Sequence, residues 1–161
     1  MPHHAETRRL PYTPAQVYAL VADIGRYAEF LPWVQGMRIL KTDGDVVTAD
    51  MIVGFKMVRE RFTSRVTLTP ETRVHVDYLS GPLKYLHNGW VFRSAVNGAC
   101  DIDFSVDFEF KNKMFERLAG MFFHDALRRM VGAFETRAAA IYGVPSPALS
   151  GISSSSATSA A

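Results

Sequence analysis

The side chains able to carry acid–base or metal chemistry do not stand in spacings that would let them act together. Five histidines are scattered through the chain. His3 and His4 fall in the opening residues, His75 alternates outward between Val74 and Val76, and His124 lies on the polar side of a helical stretch beside Asp125. His87, near a Gly-Pro break, is the one without an obvious structural place. None has metal-ligand spacing, and no Ser-His-Asp set or carboxylate pair emerges, so neither catalytic nor metal-binding residues are expected. Asp101, Asp103, Asp107 and Glu109 recur at period two, which places them along one strand face, held apart and joined by no histidine; they read as a solvated row. The chemistry on offer is apolar contact instead. Phe30, Trp33, Phe55, Tyr78, Trp90 and Phe92 supply aromatic surface, Met114, Leu118, Met121 and Phe122 share one helical stretch, and Leu83 and Tyr85 sit in a Gly-Pro segment. Methionine suits such a lining because its unbranched thioether adapts to irregular shapes. Taken singly, each of these residues reads more readily as ordinary core, and the case for a lining is the collective one.

The element that must position them runs from Asn112 to Tyr142 without a proline. Asn112 is a plausible N-cap, and Gly143 followed by Pro145 is a stop signal. At 1.5 Å per residue the helix is roughly 45 Å long, enough to cross a sheet. Phe115, Leu118, Ala119, Phe122, Ala126, Met130, Ala133 and Phe134 form its stripe. Met114, Met121, Phe123 and Leu127 widen that stripe in the first half beyond what closing a sheet requires.

Before it, residues 5–10 read as a strand, and Thr13-Pro14 with Gln16 opens a helix through a capping box. A second short helix, RYAEFL, stops at Pro32. Period-two patterning then predicts six further strands, with a hairpin at Asp43-Gly44 and a looser segment over residues 80–89. The last strand is the most regular: Ile102, Phe104, Val106, Phe108 and Phe110 share one face. One apolar and one wet face require an antiparallel sheet. The expected architecture is α+β, a curved seven-stranded antiparallel sheet gripping the long C-terminal helix, with two short helices after the first strand and a cavity between sheet and helix.

The chain has 161 residues, 48% hydrophobic and 21% charged, with 18 basic residues against 16 acidic ones and a formal charge of +2. One domain over residues 1–143 is expected, followed by a disordered Ser/Ala-rich tail over 144–161. The balanced charge gives no footprint for non-specific nucleic-acid binding, and no DNA partner is expected. One cysteine, Cys100, excludes an intramolecular disulfide and fits a reducing, cytoplasmic setting. No stretch approaches ~20 apolar residues, and the first ten lack a secretory core. Arg59, Arg61 and Arg65 alternate on one strand face and are expected to pair with a neighbouring acidic row, leaving anionic lipid or RNA as the other reading.

Several stretches carry a family resemblance. EFLPWV at 29–34, SGPLKYLHNGWVF at 80–92, VDFEFKNKMF at 106–115 and AFETRAAAIYG at 133–143 resemble the coenzyme-Q-binding branch of START-like, helix-grip domains. That branch is similar to bacterial ribosome-association toxins and to polyketide cyclase/dehydrase-like proteins. A cysteine usually follows LPW in the family; Val34 stands there here. The resemblance implies a non-enzymatic carrier of a polyprenyl quinone, ubiquinone, serving respiration or quinone biosynthesis, with ubiquinone as bound ligand and no other cofactor. It also implies a peripheral contact with the inner membrane. The segments 30–33 and 81–86 would gate the cavity or plug the core, and Lys84 and Tyr85 would offer donors to a quinone carbonyl. A ribosome-associating interaction protein and a polyketide cyclase or dehydratase are the alternatives it leaves open.

Overall fold

In the computed structural model, which describes residues 3–55 and 58–143, seven strands form one antiparallel sheet. The chain runs β1 (His3–Leu10), α1 (Pro14–Ala22), a 3-10 helix (Ile24–Glu29), β2 (Val34–Asp43), β3 (Val46–Phe55), β4 (Val58–Thr69), β5 (Arg73–Ser80), β6 (Leu83–Ser94), β7 (Cys100–Phe110) and α2 (Lys113–Tyr142). The spatial order is β1-β7-β6-β5-β4-β3-β2, a meander whose last strand is flanked by the first. This is the α+β helix-grip arrangement expected from the sequence. The predicted tail lies outside the described residues, as do positions 56 and 57.

Local chemistry sets the element ends. Thr13 and Gln16 exchange both capping-box bonds ahead of Pro14. The Asn112 carboxamide oxygen accepts from the amides of Met114 and Phe115 at 2.7 and 3.2 Å, so α2 begins where β7 ends. Residues 80–89, expected to be loose, belong instead to a tight turn and to β6, which pairs with β7 from Leu83 onward with one bulge before Tyr85. The Gly-Pro pair breaks the strand for only a turn, because the Lys111 amide donates to the Pro82 carbonyl at 2.9 Å and holds the hairpin against the β7–α2 junction. Gly81 makes that turn with φ +143°, and a Cβ there would stand 2.8 Å from both the Arg61 carbonyl and the Tyr78 hydroxyl. Gly81→Ala is therefore expected to cost about 1–3 kcal/mol of stability, read as a lowered urea midpoint.

The core gathers at one end of the grip. Val17, Leu20 and Val21 of α1, Ile24 and Leu31, and Val66, Val74, Phe92, Cys100 and Ile102 of the sheet pack with Phe134 and Ala138 of α2. Tyr142 fixes the far end of the helix by donating to the Gln16 carbonyl at 2.8 Å. Toward the other end Met51, Val53, Phe62, Leu86, Phe108 and Phe110 line the same sheet face but are only half-buried. In α2 the buried residues are Leu127, Phe134 and Ala138; none is buried from Lys113 to Ala126.

The helix is also turned relative to the expected stripe. Phe123, Leu127, Met130, Phe134 and Ala138 face the sheet, a rotation of about one residue. Phe134 sets that phase, its ring lying 5.7, 5.3 and 5.4 Å from those of Tyr27, Phe30 and Trp90. Met114 and Met121, expected on the inner side, consequently point outward and are 65% and 67% exposed.

Candidate ligand-binding site

The candidate lining residues fall into three places. Phe30, Trp90 and Phe92 meet at the closed end. The Trp90 ring is 4.7 Å from Phe104 and its indole N–H donates to Asn88 at 3.2 Å, while Phe92, buried, packs edge-on against Tyr18. Phe30 packs on Phe134 with the Arg137 guanidinium 4.9 Å from its ring, and Arg137 donates to Glu29 at 2.7 Å. Trp33 has φ +67° in the short connection into β2, and its carbonyl accepts from the Gly54 amide at 2.8 Å. Leu31 is buried, so the FLPW segment folds back on the core as a plug.

Tyr78 and Leu83 occupy the open end. Leu83 is buried, and its amide donates to the Tyr78 hydroxyl at 2.9 Å. Tyr78 faces inward, and desolvation raises its phenol above the ordinary range. Leu118 and Phe122 lie half-buried on the first half of α2. Phe55 ends β3, and its side chain lies outside the described residues.

Tyr85, Met114 and Met121 are brought to neither end. Tyr85 registers with Glu109 on the outer sheet face, its ring 5.7 Å from His87, and Lys84 is tied to Glu109 at 2.7 Å. The expectation that Lys84 and Tyr85 reach a ligand inside the grip is corrected by the bulge before Tyr85, which turns that side chain outward.

Residues outside the sequence-based candidates complete the open end. Phe108 lies 5.8 Å from Phe110 and 5.6 Å from Phe123, and Phe110 lies 5.8 Å from Phe115. The signal for Phe108 and Phe110 is the period-two row of β7, and that for Phe115 and Phe123 is the apolar stripe of α2. His4, expected to be incidental, stands inside β1 against the rings of Phe104, Phe123 and His124, and its ring nitrogen is 2.6 Å from Glu6. Arg8 then links Glu6, at 3.1 Å, to Glu135 of α2, at 3.4 Å. A polar seam thus borders the helix along the β1 edge.

The outer face divides by charge. Asp101 pairs with Arg9 at 2.8 Å and Asp103 with Arg93 at 2.9 Å, and Asp107 registers with both His3 and His87, His3 at 3.8 Å. Histidines do therefore join the acidic row. Among the described residues, the pairing expected for Arg59, Arg61 and Arg65 forms for Arg65 alone, because the aspartate row of β7 lies beyond β5 and β6 from their strand. Arg65 approaches Asp77 only at 3.9 Å, while Arg38, Lys41, Arg59, Arg61 and Arg73 have no ion pair among the described residues. No group of three or more His, Cys, Asp or Glu residues placed for a metal occurs among the described residues.

Carboxylates at the β1 edge give a pH dependence. The Arg9 hydrogen bond holds Asp101 below the usual range, those of Arg93 and Thr7 do so for Asp103, and for Glu6 desolvation pushes upward but His4 and Arg8 outweigh it. Folded values below the unfolded ones mean stability that is present above the carboxylate range and lost as pH falls through it. Unfolding free energy is expected to fall below about pH 4, with the β1 amides losing hydrogen-exchange protection first.

Two recesses of about 530 and 540 Å3 lie elsewhere. One is formed by Phe30, Pro32 and the Arg129–Ala140 side of α2, the other by the outer face around Gly89, His75 and Ser105.

A sheet closed by one long C-terminal helix is the START-like helix grip. A START superfamily protein from Mycobacterium smegmatis superposes with a TM-score of 0.72, covering 86% of this chain and 98% of its own at 17% identity. Residues 10–135 match the family described as polyketide cyclase/dehydrase and lipid transport, and the chain belongs to that family. Within it, ribosome association toxin RatA of Escherichia coli (strain K12) is 37% identical over 142 residues, covering 88% of this chain and 90% of that protein. The mitochondrial coenzyme Q-binding protein COQ10 homolog B of Xenopus laevis is 35% identical over 144 residues, covering 87% of this chain and 59% of that protein. These two relatives are named as a toxin and a binding protein, not as enzymes. No helix among the described residues is long and apolar enough to cross a membrane.

Proposed function

We propose that the protein binds a polyprenyl quinone, ubiquinone by its likeness to the coenzyme Q-binding relative, between the sheet and the first half of α2, and carries it without chemical change. One observation carries this. From Lys113 to Ala126 the helix buries no residue, although Phe108, Phe110, Phe115 and Phe123 are gathered beneath or beside it. A helix that served only to close the sheet would bury its inner stripe along its whole length, as it does from Leu127 to Ala138. An isoprenoid tail supplies the missing apolar cover, at roughly 25 cal/mol per Å2 before ordering costs. Tyr78 is the donor suited to a quinone carbonyl: its oxygen accepts from Leu83, and its own proton has no acceptor among the described residues. Titration with a short-chain ubiquinone in detergent is expected to quench the fluorescence of Trp33 and Trp90 saturably. Unchanged fluorescence with no binding by calorimetry would overturn the reading. Delivery to quinone-using steps at the cytoplasmic side of the inner membrane is part of this reading.

The bare arginine face supports a second reading, ribosome association as in RatA. Arg38, Lys41, Arg59, Arg61 and Arg73 leave an unneutralised strip that suits an RNA backbone. On this reading the protein co-sediments with ribosomal subunits, the triple variant Arg59→Glu, Arg61→Glu, Arg65→Glu abolishes that, and the affinity of the unmodified protein falls steeply with salt. Co-sedimentation unaffected by the three reversals would remove the arginine strip from consideration.

A further inference from the structure

The first half of α2 has a second apolar face that the grip does not use. Met114, Leu118 and Met121 follow one another at i, i+4 and i+7, so they form one stripe, and it lies opposite the stripe of Phe123 and Leu127 that meets the sheet. Met114 and Met121 are the two most exposed large hydrophobic residues of the described chain. A water-facing helix ordinarily carries polar residues at such positions, as α2 itself does further on, where Asp125, Arg128 and Arg129 pair with one another.

The borders of the stripe are basic. Lys111, Lys113 and Arg117 are exposed and form no ion pair among the described residues. The one acidic residue of these turns, Glu116, is half-buried and accepts from the Phe110 amide at 2.9 Å, so it turns back toward the junction. Apolar side chains flanked by unneutralised lysine and arginine on one side of a helix match the boundary between acyl chains and acidic headgroups. The stripe is also the reverse side of the half of α2 that is least tied to the sheet.

The geometry points to the outward face of α2 from Lys113 to Met121, with Lys111 just ahead of it, as a docking surface for an anionic lipid bilayer, by which the protein lays the open end of its grip against the membrane. This rests on the quinone-carrier reading: a water-insoluble ligand must pass between bilayer and grip, and the docking face and the uncovered interior are two sides of the same half-helix.

The test is flotation of the full chain with phosphatidylcholine vesicles, with and without phosphatidylglycerol. Binding is expected only with phosphatidylglycerol and is expected to weaken with added salt. At about fivefold per basic residue, Lys113→Glu with Arg117→Glu is expected to weaken partition by roughly twentyfold or more. Met114→Ser with Met121→Ser is expected to weaken it by about tenfold. All four residues are exposed, and thermal melts confirm that the variants fold. Absence of flotation by the unmodified protein, equal flotation with neutral vesicles, or indifference to both pairs of substitutions would overturn the proposal. So would a solution mass that is dimeric and becomes monomeric in the methionine variant, which would assign the stripe to a second copy, or a cross-link from Lys113 to residues 144–161. Quinone titration of the Lys113/Arg117 variant in detergent separates the two readings. Quinone binding retained there while bilayer docking is lost supports the docking surface. Quinone binding by the unmodified protein without flotation defeats the docking surface alone, and no quinone binding by the unmodified protein defeats the carrier reading.

Discussion

Phe134→Ala is expected to lower the unfolding free energy by about 3–5 kcal/mol, the largest stability effect of any single truncation in α2. Phe134 is 7% exposed and is the one ring that touches the 3-10 helix, the FLPW segment and the sheet together, through Tyr27, Phe30 and Trp90. Its removal opens a void among rigid aromatic groups that cannot collapse into it, so the cavity cost adds to the lost transfer energy. A domain of this size has about 5–15 kcal/mol in total, and the variant would stand near the edge of stability. Urea unfolding followed by tryptophan fluorescence measures the loss. A change below about 1 kcal/mol, less than an ordinary buried leucine truncation, would show that α2 is not anchored there.

The complementary result is expected at the other end. Phe108→Asp should reduce quinone affinity on the order of a hundredfold while costing far less stability than Phe134→Ala. Phe108 is half-buried, so a carboxylate at that position keeps water in the free protein. A bound isoprenoid tail would strip that water away, and desolvating an unpaired charge costs several kcal/mol, against about 1.4 kcal/mol for each tenfold of affinity. The pair of variants separates the helix into an anchoring half and a ligand-covering half. Loss of binding in both variants in proportion to stability, or in neither, would mean that the halves are not distinct.

Much of the fold was legible in the residues. Period-two alternation in β7, the Thr13-Pro14-Gln16 capping box and the Asn112 cap follow from local chemistry and sit where the pattern puts them. The phase of α2 was not legible, because both sides of its first half are apolar: Phe115, Phe122 and Phe123 compete with Met114, Leu118 and Met121. Only the docking of Phe134 and Tyr142, far along the helix, decides which side turns inward. The Gly81-Pro82 break was overread as a loop, since the bond from Lys111 to Pro82 that tightens it joins segments distant in sequence. The fate of the arginine row depended on strand order, which no local pattern encodes: β4 lies among strands with little acid to offer, while β7 spends its aspartates on Arg9 and Arg93. Of the candidate site, the aromatic content was visible, and so was the surplus apolar width of the first half of α2; which residues stand at the filled end and which at the open end was not.

The most direct test of the carrier reading is mass spectrometry of lipid extracted from the protein purified without detergent from cells that make ubiquinone. The expected result is a polyprenyl quinone in near-stoichiometric amount, reduced in the Phe108→Asp variant and absent from an unrelated protein purified in parallel. Protein that carries no isoprenoid lipid, or as much of it in the variant as in the unmodified chain, would contradict the account.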